Sequence, residues 1–107
     1  MAQAPAIVAE LEEALASEPS PPDISVVVTI FNEVETLDDL ALRLRTALDA
    51  FGRPWEVVFV DDGSSDGSRE RLRKVHETDR RMRVVLLKRN VGQHPAMAAG
   101  MRASRAD

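Results

Sequence analysis

WEVVFVDDGSSDGS, residues 55–68, is the stretch that decides the fold. Trp55–Val60 is apolar and β-branched apart from Glu56, the composition of a buried strand. Two carboxylates, Asp61 and Asp62, then close the strand, and Gly, Ser and Asp follow. Those last types are turn and helix-start residues, which accounts for residues 63–68. Turn chemistry does not account for two adjacent carboxylates at a strand end, where their repulsion has to be offset.

The same alternation extends in both directions. Upstream, Ile24–Phe31 (ISVVVTIF) is almost continuously apolar and predicts a strand buried on both faces, as in a parallel sheet. Between the two strands, Leu37, Leu40, Ala41, Leu44, Leu48 and Phe51 recur at helical spacing and predict a helix over Thr36–Phe51. Thr36 with Asp39 resembles a capping box, and Gly52 and Pro54 stop the helix. Downstream, a helix is expected over Asp66–Asp79, with a thin apolar face of Leu72 and Val75 suited to covering a sheet edge. A strand at Arg83–Leu87 and a helix at Gln93–Ser104 follow. Ala96, Ala99, Gly100 and Ala103 on that last helix permit close packing on the sheet. The order β-α-β-α-β-α predicts an α/β fold, a Rossmann-like three-layer sandwich around a parallel sheet of about three strands.

Before residue 24, Ile7, Leu11 and Leu15 mark a short amphipathic helix over residues 5–16, and Ser17–Asp23 with its three prolines is a linker. The chain thus divides into residues 1–23, helix and linker, and residues 24–107, the α/β unit. No fourth strand follows before Asp107, so a sheet ordered 3-2-1 leaves an apolar edge strand open. That suggests a fragment with further strands missing.

Composition sets outer bounds. The 107 residues suffice for one small domain, and the absence of cysteine excludes disulfides and thiolate metal sites. No apolar run approaches the roughly 20 residues of a membrane span, and the N-terminus lacks the pattern of a signal peptide. Net charge is -4, but residues 1–68 hold 3 Lys/Arg against 14 Asp/Glu, while residues 69–107 hold 11 against 4. A solvated basic helix is the simpler reading of that basic half. No aromatic residue interleaves with the bases, so no nucleic-acid partner is expected.

Ligands of open α/β sheets bind outside the carboxyl ends of the strands. Three polar segments fall there: Thr29–Glu33 (TIFNE), Asp61–Ser68 and Lys88–His94 (KRNVGQH). Asp61 and Asp62 are placed to accept hydrogen bonds from a ribose hydroxyl or a base N–H. Phe31 is either a stacking platform for a base or the last core residue of its strand. Asn32 and Glu33 either lead into the helix or, for Glu33, bond a ribose. Asn90, Gly92 and Gln93 read in part as a helix start, with Pro95 tolerated in the first turn. His94 has no nearby nucleophile and is not assigned general-base work. The glycine-free turn after the first strand excludes a dinucleotide fingerprint, and there is no P-loop. The partial match of the segment from Asp62 to a calcium loop fails, because Arg73 stands where the bidentate Glu is required.

Taken together, ISVVVTIFNE, EVVFVDDGSSDGS and LLKRNVGQHPAMAAGMRAS resemble family 2 glycosyltransferases of the GT-A fold, and among them the polyprenyl-phosphate glycosyltransferases. The resemblance covers about residues 24–107. It implies the N-terminal, nucleotide-binding half of such an enzyme. The intact enzyme would transfer a sugar from a nucleotide-diphosphate donor, expected to be UDP-linked, to a polyprenyl phosphate at the cytoplasmic face of the membrane. It further implies nucleotide-binding roles for Thr29, Phe31, Asn32, Glu33, Asp61, Asp62, Gly92 and Gln93, with Asp62 facing the base N–H. Thr29 and Phe31 depart from the Pro and Tyr common in the family. The family's Asp-X-Asp metal motif is expected after Asp107. No catalytic or metal-ligating residue is therefore assigned within the chain, and the Mg²⁺ or Mn²⁺ of the intact enzyme would not be held here at full strength. A receiver-like regulatory module is the alternative, but such modules carry their acidic pair after the first strand.

The proline linker and narrow apolar stripe predict that the helix before Ser17 is peripheral. Deleting residues 1–20 is expected to shift the thermal midpoint by only a few degrees, measured by circular dichroism; a large loss would place that segment in the core.

Overall fold

The structure is a computed structural model and describes residues 21–106. The helix expected at residues 5–16 and most of the linker lie outside the described residues. The elements run β1 (Ile24–Ile30), α1 (Val34–Phe51), β2 (Trp55–Asp61), α2 (Ser68–Thr78), β3 (Met82–Leu86) and α3 (Gln93–Ala103). The sheet is parallel throughout, in the order β1-β2-β3, with Ile30 opposite Asp61 and Asp61 opposite Leu86. The three strands therefore end level, and the three polar segments emerge side by side.

Alternation along the strands sorts the two faces. Val27 and Val60 lie on the face that receives α3. A side-chain carbon added at Gly100 would collide with both valines, so α3 can approach this closely only with glycine there. The opposite face takes α1 and α2, which pack on each other and bury Leu37, Ala41 and Leu72. β2 is central and buried along its whole length. β1 departs from the expectation of burial on both faces: only Ile30 is buried and Ile24–Thr29 are half-buried. Among the described residues β1 pairs with β2 alone, so it is an edge strand in an apolar sequence.

The amino-terminal edge of the sheet carries a buried ion pair. Arg83 and Glu56 are 0% and 1% exposed and meet directly. The Arg83 guanidinium also donates to the carbonyl of Ala103 at 2.9 Å. Glu56 accepts from the Ser25 hydroxyl and from the Arg105 N–H at 2.7 Å. A buried charge is tolerable only with its partner and further hydrogen bonds in place; here the network draws β1, β2, β3 and the end of α3 together. Burial alone would raise the Glu56 pKa, but the hydrogen bonds from Ser25, Arg105 and Arg83 outweigh it and hold the carboxyl below its ordinary 4.5.

At the carboxyl edge, α1 begins two residues earlier than its sequence suggests, and the Thr36–Asp39 capping box does not form. The helix is capped from elsewhere in the chain. The N–H of Asn32 donates to Ser64 Oγ (2.8 Å), that of Glu33 to Ser68 Oγ (3.1 Å) and that of Val34 to Asp66 Oδ2 (3.2 Å). Thr36 donates its hydroxyl back to the Glu33 carbonyl instead. Asn32 takes a left-handed conformation (φ 52°) and returns a bond, its Oδ1 accepting from Ser65 N–H at 2.9 Å. Asn is among the few residues with a side chain that tolerates this conformation at modest cost. At the other end Gly52, also left-handed (φ 81°), stops α1 as expected.

Two stability measurements check these devices. Glu56→Ala strands the Arg83 charge and is expected to cost about 3–5 kcal/mol at pH 7 in urea denaturation. Because the folded pKa of Glu56 is depressed, its contribution is full above about pH 4.5 and fades as pH falls through the folded value. The gap between variant and wild type should narrow on that acid side. Ser68→Ala removes one acceptor from the start of α1 and is expected to cost about 0.5–2 kcal/mol, the usual range for a helix cap.

Candidate functional site

An open cleft of about 380 Å³ lies at the carboxyl edge, lined by Thr29, Ile30, Phe31, Glu33, Asp62, Asn90, Gly92 and Gln93. All three polar segments contribute. Thr29 and Ile30 end β1. Phe31 stands just beyond the strand, 47% exposed, so its ring is not the last core residue of the strand. Glu33 follows at the start of α1, its Oε1 at 3.4 Å from the Phe31 N–H. Gly92 and Gln93 form the entry to α3, where Gly92 holds the cap position and no acidic residue occupies the first turn. Lys88, Arg89 and His94 are exposed nearby in sequence and do not line the cleft.

Asn32 and Asp61 are also absent from the lining. Asn32 is engaged with Ser64 and Ser65, as described. Asp61 ends β2 and is fully buried. Its Oδ2 accepts from Ser64 N–H at 3.0 Å and lies 3.8 Å from Arg69 Nε, while its Oδ1 is buried without a partner among the described residues. Arg69 in turn donates to the Leu87 carbonyl at 3.1 Å. The side chain thus braces the start of the β2–α2 turn and, through Arg69, the end of β3.

Asp62 is the opposite case. It follows Asp61 in an extended run, so the two carboxylates point to opposite faces of the sheet and their repulsion is relieved by geometry. Asp62 lines the cleft, yet it is only 4% exposed and well supplied with donors. Its Oδ1 accepts from Val91 N–H at 2.7 Å, and its Oδ2 from Gly92 N–H at 3.1 Å and Asn90 Nδ2 at 3.2 Å. One carboxylate therefore holds the whole 90–92 turn. The turn also lies tight against Gly63, a left-handed residue (φ 79°) where a side-chain carbon would strike the backbone of Arg89 and Asn90.

Sequence reading missed the role of Asn90, which it treated as part of a helix start. The signal was its place directly after a buried strand, at the edge where ligands bind. It also missed that Ser64, Asp66 and Ser68 cap a helix more than 30 positions away, which no local pattern reveals.

The lining offers acceptors, an exposed ring and a helix entry. It offers no metal cage: among the described residues no group of three or more His, Cys, Asp or Glu is placed to hold an ion. Asp61 is turned into the core and Asp62 is occupied by N–H donors, so the acidic pair does not fit a divalent cation. Among the described residues no helix is long and apolar enough to cross a membrane.

The chain is 45% identical over 78 residues to the undecaprenyl-phosphate 4-deoxy-4-formamido-L-arabinose transferase of Salmonella typhimurium, covering 72% of this chain and 24% of that protein. The protein of the same name from Salmonella paratyphi A is 44% identical over the same share. The chain thus spans about a quarter of the length of these relatives. Among solved structures, the mannosyltransferase PcManGT from Pyrobaculum calidifontis, in complex with GDP-Man and Mn²⁺, superposes with a TM-score of 0.58 at 21% identity, covering 92% of this chain and 32% of that one. That likeness confirms the α/β fold of a glycosyltransferase. The family model of Glycosyl transferase family 2 matches residues 25–107, all three strands and the helices between and after them, and the chain belongs to that family.

Proposed function

We propose that the cleft binds the nucleoside diphosphate portion of a sugar donor, and that the intact protein transfers the sugar to a polyprenyl phosphate. The observation that carries this reading is convergence. Thr29, Phe31, Glu33, Asp62, Gly92 and Gln93, picked from three separate segments, line one cleft. The names of the relatives support a polyprenyl-phosphate acceptor, and the mannosyltransferase neighbour binds a nucleotide sugar. In this reading Phe31 supplies a flat apolar face for the base, Glu33 accepts from the ribose, and Gln93 at the entry to α3 faces the remaining polar groups. Asn32 and Asp61 contribute by shaping the two turns.

In many nucleotide-binding α/β folds the first helix presents free N–H groups to the ligand. Here Asn32, Glu33 and Val34 have theirs bonded to Ser64, Ser68 and Asp66. A divalent metal belongs to the proposal for the intact protein, in keeping with the Mn²⁺ of the neighbour. Its ligands would be residues other than those described, and the acceptor would be met at the cytoplasmic membrane face.

Isothermal calorimetry with UDP and GDP tests the reading on the 107-residue chain. Saturable binding is expected, and Phe31→Ala should weaken it about five- to a hundredfold, the range for loss of one base–aromatic stack. Arg43→Ala, on the solvent side of α1 beside Asp39, should leave it unchanged. Absence of binding by either nucleotide, or equal loss in both variants, would count against the cleft.

A further inference from the structure

Helix α1 presents a second apolar flank beside its buried face. On one side of Leu37 and Ala41 the helix meets α2, where Asp38 lies 3.3 Å from Arg71. On the other side Leu40, Leu44, Ala47 and Phe51 recur four, three and four residues apart and form one stripe. Leu40 and Leu44 are half-buried and Ala47 is exposed. Phe51 is 51% exposed, although Arg53 lies over its ring at 5.7 Å. β1 continues this surface. Val27 points to α3, so Ile24, Val26 and Val28 point to the α1 side, and all three are half-buried. Among the described residues β1 pairs with β2 alone, so its outer edge lies open beside the stripe. A contiguous apolar surface of this kind marks a contact site, unlike apolar residues scattered singly.

The chain enters the fold at the end of that stripe. Asp23, just before β1, donates its N–H to the Pro54 carbonyl at 2.9 Å and meets Arg53 at 3.1 Å, two and three residues past Phe51. We propose that residues 5–16 dock on the stripe as an amphipathic helix, so that the chain covers the open flank of α1 and β1 with its own N-terminal segment. Ile7, Val8, Leu11 and Leu15 supply the apolar contact, and Glu10, Glu12 and Glu13 stay in water. The lengths agree: residues 5–16 and residues 40–51 are twelve each, about 18 Å as helix. Residues 17–22 reach at most about 20 Å, enough to lead from residue 16 beside Phe51 to the entry at Asp23. The docking is peripheral. Ordering the segment costs much of what burying a few apolar side chains returns. Its loss therefore uncovers a surface without moving the thermal midpoint far, in keeping with the small shift expected on deleting residues 1–20. The cleft is lined by other residues, so this inference stands apart from the nucleotide reading.

The absence of cysteine makes the test direct. Glu13→Cys, on the polar side of the expected helix, carries a nitroxide spin label in the otherwise unchanged 107-residue chain. Amide NMR intensities are compared before and after chemical reduction of the label. Residues 24–28 and 40–51 should lose most of their intensity while the label is paramagnetic. Lys88 and Arg89, in the turn after β3 at the far edge of the sheet, should keep theirs. Leu11→Asp in the same labelled chain should return residues 24–28 and 40–51 to the intensities of the reduced sample. Both changes precede residue 21, so neither touches the core of the α/β unit. Weak, uniform broadening along the chain overturns the proposal, and so does a loss at the stripe that Leu11→Asp leaves in place. A mixture with the label and the isotope on different molecules separates the remaining occupant: the same losses there make it a second copy of the chain, which also overturns the proposal.

Discussion

Every strand of a parallel sheet ends by releasing a turn with backbone N–H groups that no ladder satisfies, and each such group buried without an acceptor is costly. Here one short segment, residues 61–68, supplies the acceptors for both neighbouring turns. Ser64, Ser68 and Asp66 take the N–H groups of Asn32, Glu33 and Val34; Asp62 takes those of Val91 and Gly92 together with the Asn90 amide. The cleft is the space left between turns that are held from the middle. Its shape follows from the side chains of β2's exit more than from the residues that line it.

This arrangement also explains how legible the chain was. The six elements and their parallel order could be read from apolar periodicity, because each strand and helix announces itself within its own span. The cleft could be located because a parallel sheet places its three carboxyl ends together. What could not be read were the individual roles at that edge. Asp61 and Asp62 are identical in type and adjacent in sequence, yet the pleat sends one into the core beside Arg69 and the other to the cleft. Helix α1 has a plausible local cap in Thr36 and Asp39, but acceptors arriving from 32 to 35 positions away take precedence and start the helix two residues sooner. Local patterns cannot anticipate a competitor that only the tertiary fold brings near.

The charge imbalance between the halves has a similar resolution. As sequence, the basic residues after Ser68 suggested a solvated basic helix. In the fold they reach back to acidic residues of the first half: Arg69 to Asp61, Arg71 to Asp38, Arg81 to Asp49, and Arg83 and Arg105 to Glu56. The exposed pairs contribute little each, as surface ion pairs do. The Arg83–Glu56 pair differs, because both partners are buried and removing either one leaves a charge in the core. Segregated charge along the chain becomes pairing between layers, and Lys88 and Arg89 are left exposed in the turn after β3.

The two ends of the sheet thus carry different burdens. At the amino edge, Glu56 and Arg83 hold the layers together through each other and through Ser25, Ala103 and Arg105. At the carboxyl edge, Asp61 and Asp62 also face protein groups, but the groups they hold are turns whose other sides are open. Asn90, whose amide donates to the buried Asp62 carboxylate, is one of the residues that line the cleft. The cleft edge is thus held by its own turns: Asp62 commits its oxygens to residues 90–92, and Asp61 commits one of its oxygens to the turn between β2 and α2.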